Sequence, residues 1–366
     1  MDFLYTGVLI SGIFYIMINL LIHLGLFRNW QRTDRQPEVT VLIAARNEAG
    51  NLSACLDHLA DQQYPIGKLR IIILNDRSVD DTRIIARSYT DRFTNMEIID
   101  IRGDSEGLKG KMNVLAQGMD HAKGEIIMIT DADCRPSATW VSDMVSYFTS
   151  GTAMVGGLTS LTGNSVFGII QACDWLFLQS IASGASGLGA PVSILGNNFA
   201  FRRSVYEEIG GFKKMGFSLT EDMALLQAIK RKKKLTIAYP LNTGSMVRSK
   251  SLETILELIH QRLRWVAGGR RSGVAGWIML LVTFVLHLLI PPVLLLNPMN
   301  FQIWSLAGLV VMLDFALLFR MLVRTRSWHL LLYFPLFECY YFLYTTFFGL
   351  LSFLPVKIKW KDRTYP

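Results

Sequence analysis

From Phe3 to Phe27 the chain runs 25 residues without an Asp, Glu, Lys or Arg. A helix needs only about 20 to cross the hydrocarbon core of a bilayer, so part of this chain is committed to a membrane. The run is longer than a signal-peptide core and lacks a small-x-small cleavage site, and it reads as a retained anchor. Three more apolar blocks follow at the far end, Val274–Asn297, Phe301–Phe319 and Leu330–Leu354, so hydropathy predicts four spans. Composition agrees, with 51% hydrophobic and 18% charged residues unevenly spread.

These blocks divide the sequence into an anchor with a basic flank (1–35), a soluble domain (36–250), an amphipathic interfacial helix (251–273), transmembrane helices (274–354) and a basic tail (355–366). Arg28, Arg32 and Arg35 after the first span place the soluble domain in the cytosol, and Arg320, Arg324 and Arg326 agree. With four crossings the tail, with Lys357, Lys359, Lys361 and Arg363, falls on the opposite side, against the same rule. Either the last block re-enters or the rule fails there. The whole predicts a multi-pass protein of a plasma or inner membrane. Its net charge of +8 crowds the span flanks, which points to anionic headgroups and away from nucleic acid. Four cysteines and six histidines show no paired or metal-binding spacing.

Within the soluble stretch, Val39–Ala45 is a β-branched apolar run that stops at Arg46-Asn47-Glu48 and gives way to a helical pattern at Leu52, Leu56 and Leu59. The unit recurs at Arg70–Leu74, Met96–Ile101 and Glu125–Thr130. Apolar strands alternating with helices predict an α/β fold with an open, mostly parallel sheet, whose ligands bind beyond the strands' carboxyl ends. Acids stand there: Asn75-Asp76 closes the second strand and Asp131-Ala132-Asp133 the fourth.

Two carboxylates one residue apart can share Mg²⁺ or Mn²⁺ with substrate phosphates; the same acids also suit a turn that caps the helix after Ser137. Asp76 can accept hydrogen bonds from a nucleoside, whereas Asp80 and Asp81 read as acids favouring a helix N-terminus. Thr220-Glu221-Asp222 is either an N-cap with two acids in the first turn or the source of a general base. Gln261-Arg262-Leu263-Arg264-Trp265 ends an amphipathic stretch beside the membrane. Its Arg264 suits a diphosphate and its Trp265 a sugar or acceptor ring, while Arg262 and Trp265 also suit the headgroup layer. Lys109-Gly110-Lys111 precedes a helix, where a lysine can either reach phosphate as a point charge or lie solvated at the surface. Asp314 and Glu338 are acids inside apolar blocks, where such residues mark polar paths or pair between helices.

The ordered set of Asp76, Asp131-Ala132-Asp133, Thr220-Glu221-Asp222 and Gln261-x-x-Arg264-Trp265 resembles the membrane-bound family 2 inverting glycosyltransferases of the GT-A fold. That branch includes ceramide-glucosyltransferase-like enzymes and cellulose, chitin and hyaluronan synthases. The resemblance covers about Pro37 to Trp265. It implies a Rossmann-like GT-A domain with one leading and about three trailing transmembrane helices. It further implies that Asp76 meets the nucleoside, Asp131 the ribose or phosphate and Asp133 the divalent metal, with Asp222 the general base. Glu48 falls in the first nucleotide-binding loop, and Lys111 matches a phosphate-binding lysine. Glu221, Gln261, Arg264 and Trp265 complete the substrate-binding set. Gly196–Arg203 looks like the segment lining the acceptor side, and Trp360–Tyr365 is similar to a tail element of lipid-modifying members. Arg46 stands where many relatives carry an aromatic that stacks on uracil.

The expected reaction is transfer of a hexose from a nucleotide sugar, UDP-linked by resemblance, to a membrane lipid hydroxyl with Mg²⁺ or Mn²⁺. A processive polysaccharide synthase is the alternative within the class, and an inactive sugar-nucleotide-binding subunit the alternative outside it.

Overall fold

The computed structural model describes residues 2–105, 107–232, 234–269, 272–352, 354, 358–360 and 363–365. Lys233 of the Arg231–Lys234 run, and Lys357, Lys361 and Asp362 of the tail, lie outside them.

In chain order the elements begin with α1 (Asp2–Gly25), β1 (Val39–Ala45), α2 (Leu52–Ala60), β2 (Leu69–Asn75), α3 (Thr82–Thr90), β3 (Met96–Asp100) and α4 (Gly110–Met119). Next come β4 (Ile126–Asp131), β5 (Arg135–Pro136), α5 (Trp140–Ser146), β6 (Thr152–Gly156), β7 (Thr159–Thr162), α6 (Val166–Gly187) and β8 (Asn198–Arg202). After α7 (Arg203–Glu208), α8 (Gly211–Met215), α9 (Glu221–Lys230), β9 (Thr236–Ala238) and β10 (Val247–Lys250), the helices α10 (Ile255–Gly269), α11 (Gly273–Leu296), α12 (Phe301–Thr325) and α13 (Phe334–Leu351) follow. A short hairpin, β11 (Ile358–Trp360) and β12 (Arg363–Tyr365), ends the chain.

Two compact units emerge, one of residues 29–162 and 193–250, the other of 1–28, 163–192 and 251–366. The first is the α/β unit. Its seven-stranded sheet has the order β3-β2-β1-β4-β8-β6-β9. Strands β1 to β4 are mutually parallel, and β8 runs antiparallel to both neighbours. Val41, Leu42 and Ile43 are all fully buried, because helices cover both sheet faces; such strands read as continuous apolar runs. Registers Ala45↔Asn75 and Ala44↔Asp131 bring the carboxyl ends of β1, β2 and β4 to one edge.

The second unit is helical. Among the described residues four helices are long and apolar enough to cross a membrane: α1, α6, α11 and α12. The number matches expectation but the membership does not. The last apolar block breaks into a 3-10 turn over Trp328–Tyr333 and the 18-residue α13, which is not among the four. The unexpected member is α6, inside the stretch read as soluble; its mean hydropathy is 1.3, against 2.1 to 2.5 for the others. Large apolar side chains are exposed along α1, α11 and α12, Leu24, Leu281 and Met312 among them, as lipid-facing surfaces require. By contrast α6 is mostly buried and packs against α1, α12 and α13. A Cβ on Gly184 would stand 2.5 Å from the Ile22 carbonyl oxygen, and one on Gly187 would collide with that of Gly25. Glycine thus lets the α1 and α6 backbones touch.

Candidate active site

Lysine 111 organises the carboxyl edge of the sheet. It sits in the first turn of α4, and its Nζ lies 2.7 Å from Asp131 Oδ1, 2.8 Å from Glu221 Oε1 and 2.9 Å from the Gly196 carbonyl oxygen. Glu221 is 6% exposed. Burial acts to lower the Lys111 pKa, but Asp131 and then Glu221 outweigh it and hold the amine well above the ordinary lysine range. Asp222, beside Glu221 in the first turn of α9, accepts the Met223 amide at 2.8 Å through Oδ1. Its Oδ2 would lie 2.8 Å from a Cβ on Gly196. Any larger residue at 196 would push into that carboxylate, so Gly196 lets the backbone approach both Lys111 and Asp222. Lys111, Asp131, Glu221 and Asp222 thereby form one cluster.

The N-cap reading of Thr220 is realised in position only. Its side chain makes no cap hydrogen bond; Ser218 instead bonds to the Thr220 backbone.

Asp133 accepts the Ser249 hydroxyl from β10 at 3.3 Å. Behind the acid pair lie two buried thiols: Cys55 donates to the Asp131 carbonyl oxygen and Cys134 to Asp133 Oδ1, each at 3.6 Å. Burial first, then Asp133 and Asp131, push both thiols up, so both stay protonated at neutral pH. The donor set left for a cation is hard oxygen. Among the described residues no three His, Cys, Asp or Glu form a metal cage. Two carboxylates without a third protein ligand fit Mg²⁺ or Mn²⁺ taken up together with substrate phosphates.

Asp76, 5% exposed, follows β2. Arg77 Nε and Nη2 each lie 2.8 Å from its Oδ1, and Arg46 Nη1 is 3.9 Å from Oδ2. Glu48 accepts Asn51 Nδ2 at 3.0 Å. Around it, the amides of Asn47, Glu48 and Ala49 donate to Ser78 Oγ, Thr82 Oγ1 and Asp80 Oδ2 at 3.1, 2.7 and 3.1 Å. The loops after β1 and β2 are therefore sewn together. Asp80, expected simply to favour a helix start, ties them. Burial opposes its charge, but hydrogen bonds from Thr82 and Ala49 hold its carboxyl below the usual range.

Gln261, Arg264 and Trp265 belong to the helical unit, on α10. Trp265 packs 5.5 Å from the Trp175 ring and beneath the Arg262 guanidinium, 4.0 Å from its centroid. Arg262, between the motif positions, is fully buried and pairs with Asp174 of α6 at 2.5 Å. Gln261 Oε1 is buried without a hydrogen-bond partner among the described residues.

The sequence model of glycosyl transferase family 21 matches residues 4–366. The chain belongs to that family. The GT-A recognition drawn from the four motifs is borne out, with family 21 as the matching description. Glycosyltransferase AglE of Haloferax volcanii is 28% identical over 181 residues, covering 49% of this chain and 57% of that protein. Beta-monoglucosyldiacylglycerol synthase of Nostoc sp. is 24% identical over 253 residues, 67% of this chain and 52% of that enzyme. The chain thus spans little more than half the length of these curated relatives. Among solved structures, a mannosyltransferase from Pyrobaculum calidifontis in complex with GDP-Man and Mn²⁺ superposes with a TM-score of 0.61 at 18% identity, covering 96% of this chain and all of that one. The two share a fold.

In this family 21 chain, sequence reasoning passed over the contacts of Ser249 and Arg262. Each acts across the fold through a partner distant in sequence. A basic residue inside the amphipathic stretch was the one visible signal, and it was read as a headgroup contact.

Proposed function

We propose that this chain transfers a hexose from a nucleotide sugar to the hydroxyl of a membrane lipid, with inversion at the anomeric carbon. The observation that carries the reading is the Lys111 cluster, which joins the donor-side Asp131 to Glu221 and Asp222 around Gly196 at the ligand-binding edge of the sheet. Asp76 takes the nucleoside and Asp131 the ribose or phosphate, while Lys111 offers its amine to the diphosphate. Asp131 and Asp133 hold Mg²⁺ or Mn²⁺, which when bound neutralises charge on the departing diphosphate. Asp222 accepts the acceptor's proton as its oxygen bonds to the anomeric carbon and the bond to the diphosphate breaks. Arg264 is given to the diphosphate, and Gln261 and Trp265 to the sugar or its acceptor. The GDP-Man and Mn²⁺ of the Pyrobaculum enzyme and the lipid named for the Nostoc enzyme support this class of donor, metal and acceptor.

Single transfer is favoured over processive synthesis. Of the two acids that suggested a polar path, Asp314 is fully buried and accepts Tyr15 Oη at 2.7 Å and Asn19 Nδ2 at 3.4 Å, whereas Glu338 Oε2 is buried without a hydrogen-bond partner among the described residues; the Asp314 network supports single transfer.

The connections support three crossings, with the α/β unit on the cytosolic side. Helix α6 leaves β7 and leads into β8, both strands of the α/β unit, so it does not carry the chain across. The tail strand β11 packs against α10. From α10 to β11 the chain therefore crosses an even number of times, through α11 and α12, which keeps β11 on the side of α10.

Labelled donor incubated with membranes should yield one discrete lipid product; a ladder of masses would overturn single transfer. Asp222→Asn should lower turnover roughly 10²–10⁴-fold while nucleotide affinity holds, and retained turnover would remove Asp222 from the base role.

A further inference from the structure

Arg262 lies inside the Gln261–Trp265 stretch, yet the scheme above gives it no task. It is fully buried, and so is its partner Asp174 on α6, whose Oδ2 lies 2.5 Å from Arg262 Nη2. Tyr340 of α13 donates to the same oxygen at 3.4 Å. The guanidinium carbon stands 4.0 Å from the Trp265 ring centroid and 5.5 Å from that of Tyr344, so two aromatic rings share one cation. Trp175, the next residue on α6, packs on Trp265 at 5.5 Å with the ring planes tilted by 58°. Consecutive residues of α6 therefore fix Trp265 by two routes, Trp175 by ring contact and Asp174 through Arg262. Trp265 itself stays partly exposed.

Apolar side chains would hold α10 against α6 equally well. A buried ion pair loses in desolvation about what it gains in attraction, and well-packed apolar residues of similar volume commonly replace one without loss of stability. What the ion pair adds is direction. Asp174 sets where the guanidinium lies, and a cation over an aromatic face is drawn toward the ring centre, so the indole is held to one placement where apolar packing alone lets it slide. Arginine suits this double task, since its planar fork pairs with a carboxylate while its face stacks on a ring. Helix α10 ends at Gly269 and the membrane helix α11 begins at Gly273, so Trp265 stands on the last turns before the membrane, where a lipid acceptor arrives.

We propose that Arg262 is a positioning residue: oriented by Asp174, it holds the Trp265 ring in the placement that receives the lipid acceptor. This rests on the reading above that Trp265 serves the sugar or its acceptor, and it assigns the ring to the acceptor.

The test is initial-rate measurement on the full chain in nanodiscs, with labelled UDP-glucose or GDP-mannose as donor and diacylglycerol as the titrated acceptor. The double variant Asp174→Val/Arg262→Met replaces both charges by apolar side chains and should keep a melting temperature close to that of the wild type. Its KM for diacylglycerol should rise about tenfold, the size of a lost cation–π contact, while the KM for the donor stays within about twofold of the wild-type value. Arg262→Lys keeps the charge but loses the plane; it should raise the acceptor KM about threefold, and it carries the comparison should the double variant not fold. Because Arg262 acts through Trp265, the double substitution made in a Trp265→Ala background should add less than about twofold. An unchanged acceptor KM in the folded double variant, a donor KM that rises in step with it, or a full additional effect on top of Trp265→Ala overturns the inference. A Trp265→Ala enzyme with the wild-type acceptor KM, or a wild type that transfers neither sugar to a lipid, overturns the reading on which it rests and the inference with it.

Discussion

Lys111 keeps its charge through its neighbours, and the sign of that dependence can be tested. Its folded pKa lies above the ordinary value of 10.5 because Asp131 and Glu221 outweigh burial. The stability it contributes is therefore fully present below that ordinary value and is lost only as pH rises through the higher folded one. Thermal unfolding between pH 7 and pH 10 should show no loss assignable to Lys111. Lys111→Met should lower the melting temperature by about 5 °C, roughly 2 kcal/mol, as two carboxylates lose their shared cation; the figure is below that for a fully buried pair because Asp131 is partly exposed. Asp100 has the opposite sign. Hydrogen bonds from Arg83 lead its causes and hold its carboxyl below the usual range, so its contribution is present above the ordinary 3.8 and is lost as pH falls through the folded value. Asp100→Asn should accordingly show a smaller loss of stability than the wild type as pH is lowered from 5 to 3. At this scale the placement of Asp76, Asp131 and Asp133 at or just beyond strand ends was legible, because acids that follow apolar strands announce themselves. The Arg77–Asp104 and Ser249–Asp133 contacts span 27 and 116 residues, and no local pattern encodes such partners.

Among the elements, strands β1, β2 and β4 were readable from their β-branched runs, since burial on both faces leaves no polar alternation to obscure them. Strand β8 was not. Gly196–Arg203 attracted notice as an acceptor-side segment, while its larger part is an antiparallel strand inserted beside β4. Helix α6 escaped because Gln171, Asp174 and Gln179 dilute its hydropathy, and all three are buried; Asp174 is matched by Arg262 far along the chain. The α1–α6 contact gives a direct test. Gly187→Leu should force the two backbones apart and sharply reduce the monodisperse fraction of detergent-solubilised protein on size exclusion. Gly50→Ala, where an added Cβ meets nothing within 4 Å, should leave it unchanged.

For the whole molecule, the layout of an aqueous domain bracketed by apolar helices was legible from hydropathy, whereas the parity of crossings depends on which strands a helix connects. Reporters fused ahead of α1 and after β12 should lie on opposite sides of the membrane; a shared side would overturn three crossings. The partition into two units makes a separate claim. A chain of residues 29–162 joined by a flexible linker to 193–250 holds Asp76, Lys111, Asp131, Asp133, Glu221 and Asp222. Such a chain should bind a nucleoside diphosphate yet transfer nothing to lipid. Finally, the insertion of α6 between β7 and β8 means that the catalytic unit is tethered by more than its two outer ends. A protease that cuts near Asn29 and again after Lys250 would sever both outer connections and still leave the sheet fastened through α6, with the cleaved enzyme sedimenting with the membrane.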